Sequence, residues 1–188
     1  MKEMIKQAIA DCFLKLCEEI PVKKIKVKNI IAYCDISKQT FYNYYCDKYD
    51  LINYIYESSV EKILENFRNN TNSLEFNIQG VYEMCLTKKG YYTAIINIEG
   101  QNSFRHYFYE HTRNYYVDLL LKKLGEKTLT KSVLMAIDFN CAGTQKLFID
   151  WVLNGMKESP KYMMKRTIDC MPQELWKYFL VEPNNMNH

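Results

Sequence analysis

Residues 25–51 read IKVKNIIAYCDISKQTFYNYYCDKYDL, and the caps, apolar residues and turn in this stretch set the architecture. Residues 27–34 make one short helical piece. Asp35, Ile36 and Ser37 make a tight turn, and residues 38–45 make a second piece. Ser37 suits the N-cap of that piece, because its hydroxyl can accept a hydrogen bond from a free backbone N–H. Asp47 is the next N-cap, and Asp50 adds acid to the following first turn, where the helix dipole favours it. At about 100° per residue, Phe41 and Tyr45 share one face of 38–45. Gln39 and Asn43 point the opposite way, with Thr40 and Tyr42 on the flanks. Gln and Asn can pair bidentately with adenine in the major groove, and Thr, Tyr and Lys can hold phosphates. A short capped helix with that outer face, carried on a helix and tight turn, has the form of a helix-turn-helix reader. On the outside of an ordinary bundle the same amides would meet only water, and the residue pattern leaves both readings open.

Charge leans toward the first. Residues 21–48 hold Lys23, Lys24, Lys26, Lys28, Lys38 and Lys48 against Asp35 and Asp47, six minus two or +4, while the whole chain carries +3. The excess sits on the reader, as phosphate contact requires. A lysine run on a solvated face would look the same.

The run from Ser37 to Tyr45, followed by Lys48 and Leu51, resembles the signature of TetR-type transcriptional regulators. That pattern is a small residue, Val and Ser, two variable positions, Thr, an aromatic and Tyr, two more variable positions, an aromatic, then Lys and Leu. Val27 and Ile30 match the apolar positions of the family's second helix, so the likeness covers residues 1–55. It implies that Thr40, Tyr42 and Lys48 contact phosphates and that Lys38, Gln39, Asn43 and Tyr44 face the groove. Lys28 and Ser37 complete the expected DNA-binding set. The sequence departs from the pattern at Asp35, where the family has Gly. Asp tolerates the left-handed conformation better than most residues. Tyr44 is bulkier than the residues usual at its position.

A chain of 188 residues can form one large domain or two small ones, and 48% hydrophobic content is ample for a core. No run approaches the roughly 18 apolar residues of a membrane span. The opening MKEMIKQAIADCF carries Glu3 and Asp11 within an amphipathic pattern and does not read as a signal peptide, so the expected compartment is the cytoplasm. Seven cysteines with no C-x-x-C are expected to be buried free thiols. His106, His111 and His188 show no ligand spacing with them, so no metal and no other cofactor is expected. No P-loop, G-x-G-x-x-G, G-x-S-x-G or H-E-x-x-H motif occurs, and the chain is not expected to be an enzyme.

The periodicity predicts an all-α chain. Residues 2–20 form an amphipathic helix with Met4, Ala8, Cys12, Leu16 and Ile20 four apart and Ile5, Ile9 and Phe13 beside them. Lys2 and Lys6 on it either reach phosphates or meet solvent. Residues 47–67 form a longer helix whose first turn belongs to the reader and whose far end belongs to the C-terminal half of the chain. The polar stretch 68–73 is the best break. Further helices are predicted at 78–86, 103–124 (closed by Gly125), 131–154, 161–170 (capped by Ser159 and Pro160) and 173–180. Residues 90–98 read as a buried strand or a short helix, with the all-α surroundings and the family resemblance favouring helix, and 181–188 reads as a frayed tail. The expected division is a helix-turn-helix DNA-binding domain over 1–50 and a ligand-sensing and dimerisation domain over 51–188.

Helix 131–154 is too apolar around its circumference to have a free side. Phe139, Gly143, Leu147 and Trp151 run four apart, and a mid-helix Gly costs roughly 1 kcal/mol unless a close approach repays it. A central helix inside the monomer and a subunit interface are the two readings, and a two-fold DNA site favours the second. The pattern from Phe139 to Phe179 resembles the C-terminal domain of a Firmicute-type TetR subgroup that includes an activator of dihydroxyacetone kinase genes. That likeness implies a four-helix homodimer interface built from the last two long helices, with Phe139, Gly143, Leu147, Trp151 and Met163 in it. It also implies a small-molecule effector site. Tyr82, Tyr92, Asn97, His106, Tyr107 and His111 are the candidates, since aromatic walls with a few polar groups suit a pocket. A helical core edged with tyrosines would give the same composition. The expected function is a dimeric regulator that binds a palindromic DNA operator through 38–45, with repression or activation not encoded in these residues. The alternative is a helical dimer that recruits a protein partner and does not read DNA alone.

Overall fold

The computed structural model describes residues 2–69, 73–98, 100 and 102–179, with Phe67 described in its backbone only. Among the described residues ten α-helices run α1 Lys2–Glu19, α2 Val27–Tyr33, α3 Lys38–Tyr42, α4 Lys48–Arg68, α5 Leu74–Thr87, α6 Lys89–Ile95, α7 Phe104–Leu124, α8 Lys131–Leu153, α9 Pro160–Asp169 and α10 Gln173–Phe179. A single 3-10 turn, Val22–Lys24, links α1 to α2, and the described residues contain no strand. The segment 90–98 is thus helical up to Ile95, as the all-α surroundings suggested, and leaves the helix as a turn at residues 96–97. The tail at 181–188 and residues 70–72 of the polar break lie outside the described residues.

Most helix ends are set by local chemistry. Ser73, Ser103, Thr130 and Ser159 each accept a hydrogen bond from the backbone N–H three residues on. Ser73 starts α5 four residues before the expected 78. Gly125 and Gly155 close α7 and α8 at φ 65° and 80°, conformations that suit a residue without Cβ.

One apolar core runs through both halves of the chain. It joins Phe13, Ile30, Phe41 and Leu51 of the N-terminal helices to Tyr92, Phe104, Phe148 and Trp151. A second, smaller core at the far end gathers Leu120, Ile137, Cys141 and Leu175. Helix α6 is the keystone between the halves: the Tyr91 ring packs edge-on to Phe13 at 6.5 Å, and its hydroxyl donates to the Ile52 carbonyl at 3.4 Å. Helix α4 crosses the expected 50/51 boundary without interruption.

Two expected apolar rows do not stay on one face. In α1, Met4 is 75% exposed while Leu16 is 2% exposed. In α8, Phe139 is 71% exposed while Trp151 is 2% exposed. Four residues advance an α-helix by about 400°, so an i+4 row drifts some 40° per step and winds from solvent into the core over three steps. The cysteines also divide: Cys85 and Cys141 are buried, but Cys46 and Cys170 are exposed.

Candidate nucleic-acid interface and sensor cavity

The reader is assembled by its caps. The Lys26 N–H donates to Asn29 Oδ1 at 2.9 Å and starts α2. Asp35 turns the chain at φ 50°, in the left-handed region expected of it. Ser37 Oγ accepts from the Thr40 N–H at 2.9 Å and pairs with the Thr40 hydroxyl at 2.8 Å. Asp47 Oδ1 accepts from the N–H groups of Tyr49 and Asp50 at 2.7 and 2.9 Å, and Asp50 Oδ2 accepts from the Cys46 N–H at 2.8 Å. These bonds hold the start of α4 to the end of the reader.

Helix α3 ends at Tyr42, three residues before the expected 45, and Asn43 forms its C-cap. The chain continues as a tight turn, so the two-faced arrangement survives. Phe41 and Tyr45 are fully buried, 5.8 Å apart between ring centres, and the Tyr45 hydroxyl donates to the Lys6 carbonyl at 2.8 Å. With that face sunk, Lys38, Gln39, Tyr42 and Asn43 are exposed together, and Lys28 is exposed on α2. Tyr44 is half-buried and packs on the core, so less of it is left for a base. The Lys6 ammonium lies 4.1 Å from the centre of the Tyr54 ring.

Lys48 has a structural partner set that sequence reasoning missed. Its Nζ donates to the carbonyls of Val22 and Ile25 at 3.1 and 2.8 Å, tying α4 to the turn that leads into α2. Partial burial lowers its pKa. An ammonium has three donors, so one remains for a phosphate.

In the C-terminal half, α4, α5, α7, α8 and α9 surround a cavity of about 90 Å³. Of the six expected effector residues, Tyr82 and His111 line it. His106 and Tyr107 open instead on a surface cleft beside Asp47, Asp50 and Glu110. Tyr92 is packed in the core against Tyr91, Phe104 and Phe148, and Asn97 is exposed with its amide donating to the Thr93 carbonyl. Burial lowers the His111 pKa below its usual 6.5. Asn77 and Thr167 are buried lining residues that the sequence reading missed. A signal existed: Leu74, Asn77, Ile78, Val81 and Tyr82 recur at helical spacing, which sets an amide on an apolar face. Starting the helix at 78 hid it.

The five expected interface residues separate as well. Phe139 and Gly143 lie on an open face of α8 with Met135 and Ala142, and a Cβ at Gly143 would meet nothing within 4 Å. Leu147 is half-buried. Trp151 and Met163 belong to the chain's own core: the indole N–H donates to the Glu158 carbonyl at 2.9 Å, and the ring packs edge-on to Tyr82 at 5.1 Å. Among the described residues no group of three or more His, Cys, Asp or Glu could hold a metal ion, and no helix is long and apolar enough to cross a membrane.

A TetR family model described as "Transcriptional regulator C-terminal region" matches residues 72–173, more than half of the chain. No protein of curated function matches the sequence. Among solved structures, the fold is similar to the dihydroxyacetone kinase operon activator DhaS, at 17% identity and a TM-score of 0.62, over 89% of this chain and 93% of that one. It is similar also to a protein described as a TetR-family transcriptional regulator from Syntrophomonas wolfei str. Goettingen, at 18% identity and a TM-score of 0.53, over 98% and 100% of the two chains. A third likeness is to the fatty acid degradation regulator FadR from Bacillus halodurans, at 12% identity and a TM-score of 0.53, over 89% and 94%.

Proposed function

Because this chain belongs to the TetR family of transcriptional regulators, we propose that it binds a two-fold DNA operator as a homodimer and releases or grips it in response to a small molecule. The observation that carries the reading is the division of the segment 37–45. Phe41 and Tyr45 are wholly buried, and Lys38, Gln39, Tyr42 and Asn43 stand exposed on a helix with a formed N-cap. A helix so anchored presents a rigid polar edge to a major groove. Lys28, Thr40 and the free donor of Lys48 hold the flanking phosphates, with Ser37 and Tyr44 at the margins.

The dimer joins the open α8 faces, with Phe139 and Gly143 at its centre. Two readers then sit about 34–36 Å apart, or a multiple of that, on the duplex. The reader spans 1–50 and the sensing and dimerisation unit 51–188. Helix α4 supplies Tyr56 and Leu64 to the cavity wall and starts at the reader, so an effector that tilts α4 changes the reader spacing and operator affinity together.

Fluorescence anisotropy on duplex DNA from upstream of the gene, across a salt series and against random competitor, tests this. Tight, competitor-resistant binding that weakens steeply with salt is expected. Binding no better than to random DNA on every upstream segment tried would overturn it and favour a dimer that recruits a protein partner.

A further inference from the structure

The cavity between α4, α5, α7, α8 and α9 has a chemistry of its own. No Asp, Glu, Lys or Arg occurs among the described residues that line it. Its hydroxyls are largely engaged. Thr167 Oγ1 donates to the Met163 carbonyl at 2.9 Å and lies 2.9 Å from the Tyr82 hydroxyl, and the Tyr115 hydroxyl donates to the Leu64 carbonyl at 3.2 Å. Asn77 is different. It is 3% exposed, its Nδ2 donates to the Ser73 carbonyl at 2.5 Å, and its Oδ1 is buried with no partner among the described residues. A buried amide oxygen without a donor carries its full desolvation cost, and here it belongs to a side chain that lines an apolar cavity.

We propose that the cavity takes a small neutral molecule with an apolar body, no larger than a single ring, that donates one O–H or N–H hydrogen bond to Asn77 Oδ1. The class is reached by exclusion. An anion would find no Lys or Arg in the lining and a His111 that burial pushes toward its neutral form, and it would face an acceptor. A cation would find no carboxylate. A molecule without a donor would leave the amide oxygen as bare as before. Volume sets the size: a cavity of roughly 150 Å³ holds benzene, so about 90 Å³ admits one ring at most. The inference rests on the sensor half of the proposed function, and it adds the ligand's chemistry and its anchor.

The test measures binding of phenol, toluene and benzoate to the full chain without DNA, by titration of backbone amide NMR shifts. Phenol and toluene differ by a hydroxyl in place of a methyl. Phenol is expected to bind about tenfold more tightly than toluene, the worth of one ordinary hydrogen bond, with shifts centred on α5 and α7, and benzoate is expected not to bind. In Asn77→Leu the preference should shrink to within about twofold. Should that variant fail to fold, the phenol-to-toluene ratio in the wild-type protein still decides. Equal binding of the two, tighter binding of benzoate, or no phenol binding up to its solubility limit would overturn the proposal. Because these titrations contain no DNA, a protein that binds phenol as described but no operator sinks the regulator reading alone. A protein that binds operator but not phenol sinks this one alone.

Discussion

Lys28 and Lys48 look equivalent in the sequence, and their surroundings make them different residues. Lys48 holds two main-chain carbonyls, and Lys28 is exposed on α2. Lys28→Ala should reduce the salt slope of DNA binding by about 1 and leave the urea midpoint unchanged. Lys48→Ala should lower affinity and also cost about 1 kcal/mol of stability, since the Ile25 carbonyl loses the Lys48 ammonium and the Val22 carbonyl is left with the Ile25 N–H alone. Equal urea midpoints for the two variants would remove the structural role of Lys48. Gln39→Ala should cost about 1–3 kcal/mol on the operator and relax base preference at one position, read by anisotropy on operator variants. At His111, burial depresses the folded pKa below 6.5. Between those two values the unfolded chain binds more protons than the folded one, so stability is full above about pH 6.5 and falls as pH drops through it. Urea midpoints at pH 7.5 and 5.5 should therefore differ more in the wild type than in His111→Gln. A larger drop in the variant would reverse the assignment.

Helix α8 shows how one element serves two surfaces. Its inner face buries Ile137, Cys141, Phe148 and Val152, and its outer face leaves Met135 and Phe139 in solvent beside Ala142 and Gly143. A large exposed aromatic next to small residues is the surface on which two helices can approach closely. Phe139→Lys should leave the monomer's stability nearly unchanged, because the side chain is 71% exposed, and should shift sedimentation toward the monomer. Gly143→Ala adds helix propensity worth up to about 1 kcal/mol and fills open space in the monomer. It should raise monomer stability while weakening association. Unchanged sedimentation in both variants would place the interface elsewhere.

Across the whole molecule, the reader is not a detachable module. Its core is continuous with that of the C-terminal helices through α6, where Tyr91 touches both Phe13 and the Ile52 carbonyl. A single cooperative unfolding transition is therefore expected, with Trp151 and Trp176 fluorescence and far-ultraviolet circular dichroism melting together. Separate transitions would mean that α4 links two independent units and would weaken the coupling between cavity and reader. Under the proposed function, the same continuity would let an effector act on DNA, since a shift of α4 at its cavity end would carry Asp47 and the cap bonds at its start with it.

Local chemistry was open to reading in one dimension. The all-α class, the Ser37 and Asp47 caps, the left-handed Asp35, the glycine stops and the inward Phe41 and Tyr45 each depend on residues within about one turn of one another, and a sequence displays that spacing directly. Which side of a long helix finds a partner is different, because it is set by elements far away in the chain. Trp151 and Met163 were drawn into the core, Trp151 against Tyr82 of α5, Lys48 was claimed by carbonyls more than twenty residues upstream, and His111 lines the cavity while Tyr107, whose ring still touches it, opens with His106 on the surface cleft. The unpaired oxygen of Asn77 belongs wholly to the tertiary structure, since an amide is left without a donor only once five helices have closed around it.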